Sequence, residues 1–138
     1  MMNSHELVIS TLDAEGLAAM LNVQGGAAFA PDPRDQLAEL LAEAWRVPAD
    51  KLPADRVAMG SSVTYREHPT GVSRTIMLAY PEAADAASGR ISVLSPVGLA
   101  LIGRKRGDAL DVALPNRRLL EIQILRAGHD FEPLRKAA

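Results

Sequence analysis

Two patterns of apolar residues divide the chain near residue 48. Before that point, apolar positions recur every three or four residues, which is typical of amphipathic helices. One helix is predicted from Asp13 to a stop at Gly25-Gly26, and a second begins at Asp32. The apolar faces comprise Leu17, Met20 and Leu21 in the first helix and Leu37, Leu40, Leu41, Ala44 and Trp45 in the second. Because both helices are short and closely connected, residues 1–47 are predicted to form an antiparallel helical hairpin, with Trp45 packed on the first helix.

The segment Pro48–Pro53 is rich in proline and is predicted to be a hinge, and beyond it the pattern changes towards the alternation of β-strands. The predicted strands are Val57–Glu67, Ser73–Tyr80, a short strand with Ile91 and Val93, Ala109–Leu114, and a last strand in which Leu120, Ile122 and Ile124 face inward. The imperfect alternation of Ser73–Tyr80 indicates burial on both faces. Turns are expected at His68–Gly71 and at Pro115-Asn116.

The stretch from Gly89 to Asp108 carries the densest local signals of the chain. Ser95 can accept hydrogen bonds from free backbone N–H groups, and Pro96 suits the first position of a helix. Gly103 can adopt the left-handed conformation that ends a helix. The chain is therefore predicted to be an α+β protein, with the helical hairpin followed over residues 54–127 by a small antiparallel sheet and one short helix, and a tail at residues 128–138.

Composition excludes several classes of function. Apolar residues make up 48% of the chain and the net charge is −2, which argues against disorder and against general binding of polyanions. The absence of cysteine excludes disulfides and thiolate chemistry. The sequence contains no phosphate-loop or nucleophile-elbow motif, and its three histidines (His5, His68 and His129) lack metal-ligand spacing, so no cofactor or metal is expected. With no export signal or membrane span, the protein is predicted to be cytoplasmic.

Three segments in order, MGSSVTYRE, AYPEAADAASGRISVLSPVGLALIGRKRGDALDVALP and LEIQIL, resemble the carboxy-terminal domain of the bacterial Gre transcript cleavage factors. The resemblance runs from Val57 through Ala127 and implies an FKBP-like fold. Gre factors carry a long antiparallel coiled coil, whereas the helical half of this chain is short. That truncated form, with its ISTLDAEGL segment, is similar to the regulator of nucleoside diphosphate kinase, a Gre-related protein that binds RNA polymerase.

The resemblance also implies a mode of action. Gre factors insert the coiled coil through the secondary channel of the polymerase, where two acidic tip residues help to hold a catalytic magnesium ion. A helix of roughly 12 residues reaches about 18 Å, against about 45 Å for a Gre helix of roughly 30 residues. We therefore expect a regulator, and not an enzyme, that docks at the channel entrance and competes with Gre factors without cleaving the transcript. RNA polymerase is its expected partner; direct sequence-specific DNA binding, membrane binding and oligomerisation are not expected.

Three groups of residues are candidates for the interface. Asp32 and Asp35 lie at the loop between the helices and are candidates for the tip acids that the resemblance implies, but as N-cap and third helical residue they also fit a purely structural role. Ser95 and Pro96 match the Gre loop that docks on the channel rim, and Leu94 stands where several family members have an acidic or amide residue. The basic turn, Arg104, Lys105 and Arg106, is either a solvated loop or a contact with an acidic polymerase surface.

Two alternative functions remain open. One is a cleavage factor whose shortened arm carries the acidic tip. The other is a peptidyl-prolyl isomerase, suggested by the FKBP-like fold alone, which does not by itself carry a function.

Overall fold

The computed structural model describes residues 7–23, 32–114 and 118–127. Its helices are α1 (Thr11–Val23), α2 (Pro33–Glu43) and α3 (Pro96–Leu101). Its strands are β1 (Val8–Ser10), β2 (Trp45–Val47), β3 (Ser62–His68), β4 (Ser73–Ala79), β5 (Arg90–Ser92), β6 (Ala109–Ala113) and β7 (Leu119–Ala127). Single 3-10 turns lie at Ala49–Lys51, Pro81–Ala83 and Ala86–Ser88. The predicted mixture of helix and sheet is confirmed.

Both amino-terminal helices begin at a side chain that caps them. Ser10 Oγ accepts a hydrogen bond from the Asp13 N–H at 3.0 Å, and Asp32 Oδ1 accepts one from the Arg34 N–H at 2.9 Å. Pro33 occupies the first turn of α2, where its missing donor costs nothing. Helices α1 and α2 contact each other, and their lengths of 13 and 11 residues agree with the predicted short helices. The antiparallel arrangement of a hairpin stays a prediction.

The main sheet has five strands in the order β5-β4-β3-β7-β6. The pairs β3–β4, β3–β7 and β6–β7 are antiparallel, as predicted. Strand β5, however, runs parallel to β4, with Leu78 opposite Ile91. The prediction of a purely antiparallel sheet is therefore wrong: the connection between β4 and β5, with its two 3-10 turns, brings the chain back to run in the same direction as β4. The FKBP-like description stays a prediction.

A second sheet, parallel and two-stranded, was not predicted. Strand β1 pairs with β2, Val8 lying opposite Trp45, and the Trp45 N–H donates to the Leu7 carbonyl at 2.8 Å. The expected packing of Trp45 on the first helix is wrong, because its side chain is 63% exposed. Helix α2 ends at Glu43 and Ala44 is extended, so Trp45 leaves the helical face and enters β2.

Two strand predictions need correction as well. The first strand of the main sheet begins at Ser62 and not at Val57, although Val57 is fully buried and bonded to the backbone beyond α3. Strand β4 is not buried on both faces: its first three residues are exposed, Met77 is 39% exposed, and only Leu78 and Ala79 are buried. The alternation fails because this strand is covered only at its carboxyl end.

The predicted turn at His68–Gly71 is confirmed, since it connects β3 and β4. Several other predictions fall outside the described residues, namely Gly25-Gly26, the turn at Pro115-Asn116, the tail at residues 128–138, His5 and His129. No helix in residues 7–23, 32–114 and 118–127 is long and apolar enough to span a membrane.

One hydrophobic core joins the helical half to the main sheet. Its buried members from the helical half are Ile9, Ala14, Leu17, Leu37 and Leu41, and those from the remainder include Val57, Val63, Leu78, Val93, Leu101, Ile122 and Ile124. Burial of these side chains against each other stabilises the position of the helices on the sheet. The predicted hinge at Pro48–Pro53 and the division into two domains stay predictions.

A polar contact reinforces this joint. Asp13 Oδ2 accepts a hydrogen bond from the Met59 N–H at 3.0 Å, which connects α1 with the segment before β3. Burial raises the pKa of the Asp13 carboxyl, and the hydrogen bond from Met59 opposes that shift. The folded protein therefore holds this proton more tightly than the unfolded chain does.

Because the pKa of Asp13 is raised, the loss of folding stability caused by its negative charge should depend on pH. As the pH rises from the ordinary range of an aspartate through the raised pKa, the wild type should lose stability relative to Asp13→Asn, which stays neutral. Denaturant unfolding of both proteins between pH 3 and pH 8 measures the difference. Asp13→Ala serves as the second variant and should lose about 1–3 kcal/mol at neutral pH, because it leaves the Met59 N–H without an acceptor. A difference between wild type and Asp13→Asn that does not change with pH contradicts the assignment.

Candidate functional site

Helix α3 begins at a serine cap whose hydroxyl both donates and accepts a hydrogen bond. Ser95 Oγ accepts a hydrogen bond from the Gly98 N–H at 3.0 Å and donates one to the Ser92 carbonyl at 2.7 Å. The predicted capping role of Ser95 is confirmed, as is the place of Pro96 in the first turn. Because its hydroxyl is engaged at both ends, Ser95 fixes the geometry of the loop and has little left to offer a partner. Of the three matched residues here, Pro96 is exposed and Leu94 and Ser95 are half-buried.

A glycine that the sequence reasoning missed seats α3 on the sheet. Gly98 is buried, and a Cβ at this position would overlap the Ser92 carbonyl oxygen and lie 2.8 Å from Val93 Cα. Only a residue without a side chain permits so close an approach of a helix to a strand end. The helical pattern around Gly98 is the signal that could have revealed it, because a glycine inside a helix costs stability unless packing requires it.

The end of α3 leads into the basic turn through a left-handed glycine. Gly103 has φ +80°, as predicted, and its carbonyl accepts hydrogen bonds from the Val8 N–H at 3.1 Å and from Arg56 Nη1 at 3.0 Å. The backbone of the turn is held in place, since the Val57 N–H donates to the Arg104 carbonyl at 2.7 Å and the Arg106 N–H to the Asp55 carbonyl at 3.0 Å. The turn is therefore a fixed feature of the surface.

The three basic side chains of this turn differ in environment. Lys105 and Arg106 are exposed, whereas Arg104 is half-buried. Burial lowers the pKa of the Arg104 guanidinium, and the negative charge of Asp108 opposes the shift. Arg104 thus contributes to packing at the end of α3, whereas Lys105 and Arg106 lie at the surface.

The structure does not gather the predicted docking residues into one cluster. Leu94, Ser95 and Pro96 precede α3 and the basic turn follows it, and a helix of six residues separates them by about 9 Å along its axis. Both groups therefore flank one short helix, and the face of α3 between them belongs to the same surface.

A groove of about 360 Å³ runs along this surface between α2, α3 and β6. From α3 and its start, Pro96, Leu99 and Ala100 line it, and its other walls include the acids Glu39, Glu43 and Asp111. These acids were not among the residues predicted from the sequence. The spacing of Glu39 and Glu43 places them on one face of α2, which is a visible signal, but nothing local connects Asp111 with them.

The two candidate tip acids have different roles. Asp32 is buried, with 6% of its surface exposed, and caps α2 as described, while Asp35 is exposed in the first helical turn. An acid in the first turn interacts favourably with the helix dipole. The capping interpretation is confirmed for Asp32. Within the described ranges no group of three or more His, Asp or Glu side chains could hold a metal ion.

The fold is a mixed five-stranded sheet with a groove beside its short third helix, and comparison with known proteins identifies the family. The family model described as "Transcription elongation factor, GreA/GreB, C-term" matches residues 52–128, more than half of the chain. The chain therefore belongs to the GreA/GreB carboxy-terminal family of transcription elongation factors.

Individual relatives agree with this assignment. Transcription elongation factor GreA of Desulfovibrio desulfuricans is 40% identical over 70 residues, which cover 51% of this chain and 43% of that protein. GreA of Mesorhizobium japonicum is 37% identical over 81 residues, covering 59% of this chain and 52% of that protein. The chain thus spans about half the length of the curated relatives it matches.

A solved structure extends the likeness to the helical half. The prokaryotic transcription elongation factor GreA/GreB from Nitrosomonas europaea superposes with a TM-score of 0.72 at 32% identity, covering 89% of this chain and 98% of that one. Coverage of that extent reaches well beyond residues 52–128. The two chains therefore share their short helical half as well as the sheet.

The comparisons correct one expectation. The sequence reasoning predicts that the chain is not an enzyme, and this prediction is wrong, because relatives at 35–40% identity carry the name GreA of the transcript cleavage factors that the sequence resembles. The assignment to the regulator of nucleoside diphosphate kinase stays a prediction.

Substitution of Gly98 tests the seating of α3. Gly98→Ala should cost about 1–3 kcal/mol of unfolding free energy, because its Cβ meets backbone atoms that cannot rotate away. The matched control is Gly16→Ala in α1, whose Cβ meets only the hydroxyl tip of the Tyr80 side chain, which can move. Denaturant unfolding of both variants should show the larger loss for Gly98→Ala. Equal losses, or a larger one for Gly16→Ala, would show that α3 is not held by close backbone packing.

Proposed function

We propose that this protein is a Gre-family transcription factor that docks on RNA polymerase at the entrance of the secondary channel and competes there with Gre factors. The support is the position of Pro96. It is exposed at the start of α3 and lines the groove between α2 and α3, and the resemblance to Gre factors implies a docking role for this position. The remaining surface of the proposed interface comprises that groove and the basic side chains of Lys105 and Arg106.

Burial divides the predicted docking residues into two groups. Ser95 and Arg104 are half-buried, and the side chain of Ser95 is bonded within its own loop, so they position the surface. Pro96, Lys105 and Arg106 are exposed, so a partner can reach them. Substitutions that test docking are therefore best made in the exposed group.

The charges on the two sides of α3 are opposite. The groove carries Glu39, Glu43 and Asp111, and the turn beyond α3 carries Lys105 and Arg106. A partner surface with basic residues opposite the groove and acidic residues opposite the turn would complement both. Complementary charge of this kind mainly sets orientation and association rate.

The short arm supports competition at the channel entrance. Helix α1 has 13 residues, so it extends about 20 Å along its axis. An arm of this length on a Gre-like docking domain covers the entrance and blocks a second factor by occupying the same rim. Competition of this kind requires only a shared docking surface and does not depend on cleavage of the transcript. The same short arm supports the resemblance to the regulator of nucleoside diphosphate kinase.

Competition binding tests the proposal directly. A fluorescently labelled Gre factor is bound to core RNA polymerase at low salt and titrated with this protein, and we expect full displacement. Pro96→Glu should weaken competition by roughly tenfold or more, because it replaces the exposed proline ring with a charged side chain that a docked partner would have to desolvate. Glutamate in the first helical turn is compatible with α3, so the variant should remain folded.

The matched control is Thr70→Glu, which adds the same charge in the exposed turn between β3 and β4. It should compete as the wild type does. The proposal is overturned if the protein fails to bind polymerase at low salt, if it binds together with the labelled Gre factor, or if the two variants weaken competition equally.

A further inference from the structure

A second concave site lies on a different part of the molecule. A cavity of about 550 Å³ opens between α1, the start of α2 and the segment after β4, and its walls include Gly16, Ala19, Met20, Arg34, Tyr80 and Glu82. No residue lines both this cavity and the groove beside Pro96. Its volume is in the range of small-molecule sites, and like them it combines a largely apolar wall with a few polar groups.

Arg34 brings a guanidinium to this wall. Among residues 7–23, 32–114 and 118–127, its buried Nη1 atom has no hydrogen-bond partner. Glu82 lies on the same wall, yet in the described part of the chain no ion pair joins it to Arg34. Arg34 also lines the cavity, where its guanidinium can donate a hydrogen bond to an acceptor on a bound ligand.

Tyr80 supplies a second donor. Gly16 lies directly beneath its hydroxyl, and the missing side chain at this position allows the ring to reach across α1. Burial raises the pKa of the Tyr80 hydroxyl, and the negative charges of Asp13 and Glu82 raise it further. The hydroxyl therefore keeps its proton at neutral pH and can donate it in a hydrogen bond.

We propose that this cavity binds a small oxyanion ligand, in which one carboxylate or phosphate is carried on a compact apolar or planar body. The oxyanion accepts hydrogen bonds from Arg34 and Tyr80, and the body lies against Gly16, Ala19 and Met20. A guanidinium can form two parallel hydrogen bonds to either a carboxylate or a phosphate group, so both kinds of ligand would be recognised by the same chemistry. The cavity and the groove have no lining residue in common, so substitutions can test the two proposals separately.

Glu82 sets the strength of this site. Its carboxylate repels a bound anion, so the wild-type site should be weak and Glu82→Gln should bind the ligand more tightly. This sign is specific to the proposal, because a structural role of Glu82 gives no reason for tighter binding of an anion.

Titration with a matched series of probes tests the proposal. Backbone amide NMR shifts of the full chain are followed with benzoate, phenyl phosphate, neutral benzamide and inorganic phosphate. We expect saturable shifts at Gly16, Ala19, Met20 and Glu82 with at least one of the two aromatic anions, and the stronger of them identifies the ligand as a carboxylate or a phosphate. Benzamide and inorganic phosphate should bind roughly tenfold more weakly or not at all. Benzamide lacks the anionic group, and inorganic phosphate lacks the apolar body.

Substitution of Arg34 tests whether the probes bind in this cavity. Arg34→Gln should weaken binding roughly tenfold or more, whereas Arg66→Gln, which removes the same charge from an exposed position in β3, should leave it unchanged. Thermal unfolding confirms that each variant is folded. The proposal is overturned if neither anion saturates these amides by about 10 mM, if benzamide binds as well as benzoate, if both arginine variants behave alike, or if Glu82→Gln weakens binding.

Discussion

The backbone junction at Gly103 is the constraint on which the rest of the structure depends. Its carbonyl accepts from the Val8 N–H and from Arg56, and its N–H donates to the Val57 carbonyl at 3.0 Å. A Cβ here would lie 3.2 Å from Leu7 Cβ and 3.3 Å from Ile9 Cγ2, and φ is positive. One glycine thus ends α3, starts the basic turn and lets the first strand of the helical half close onto the main sheet.

Both proposed sites follow from this closure. With the helical half held against the sheet, α2 lies beside α3, and the groove that contains Pro96 forms between them. The same closure lays α1 against the segment after β4, where Gly16 meets Tyr80 and the cavity with Arg34 opens. A shared core that includes Leu17, Leu37 and Leu101 keeps these surfaces in fixed relation.

The helix caps and the left-handed glycine could be predicted from the sequence, because each depends on residues that are close together in the chain. The caps at Asp32 and Ser95 and the left-handed Gly103 depend on residues within one helical turn, and all three are confirmed. Contacts between distant segments were not predictable in this way. The pairing of β1 with β2, the exposure of Trp45 and the parallel direction of β5 arise from tertiary structure, which overrides a helical or alternating pattern. The acids of the groove and the cavity around Arg34 were missed for the same reason.

Hydrogen–deuterium exchange of the protein, alone and bound to core RNA polymerase, tests the central claim most directly. Docking through the surface described here predicts that added protection concentrates in α2, in α3 and in the basic turn at Arg104–Arg106, because these segments form the groove and its flanks. The turn between β3 and β4 should exchange equally in both states. Protection confined to that turn and the adjoining strands, with none in α3, would contradict the account.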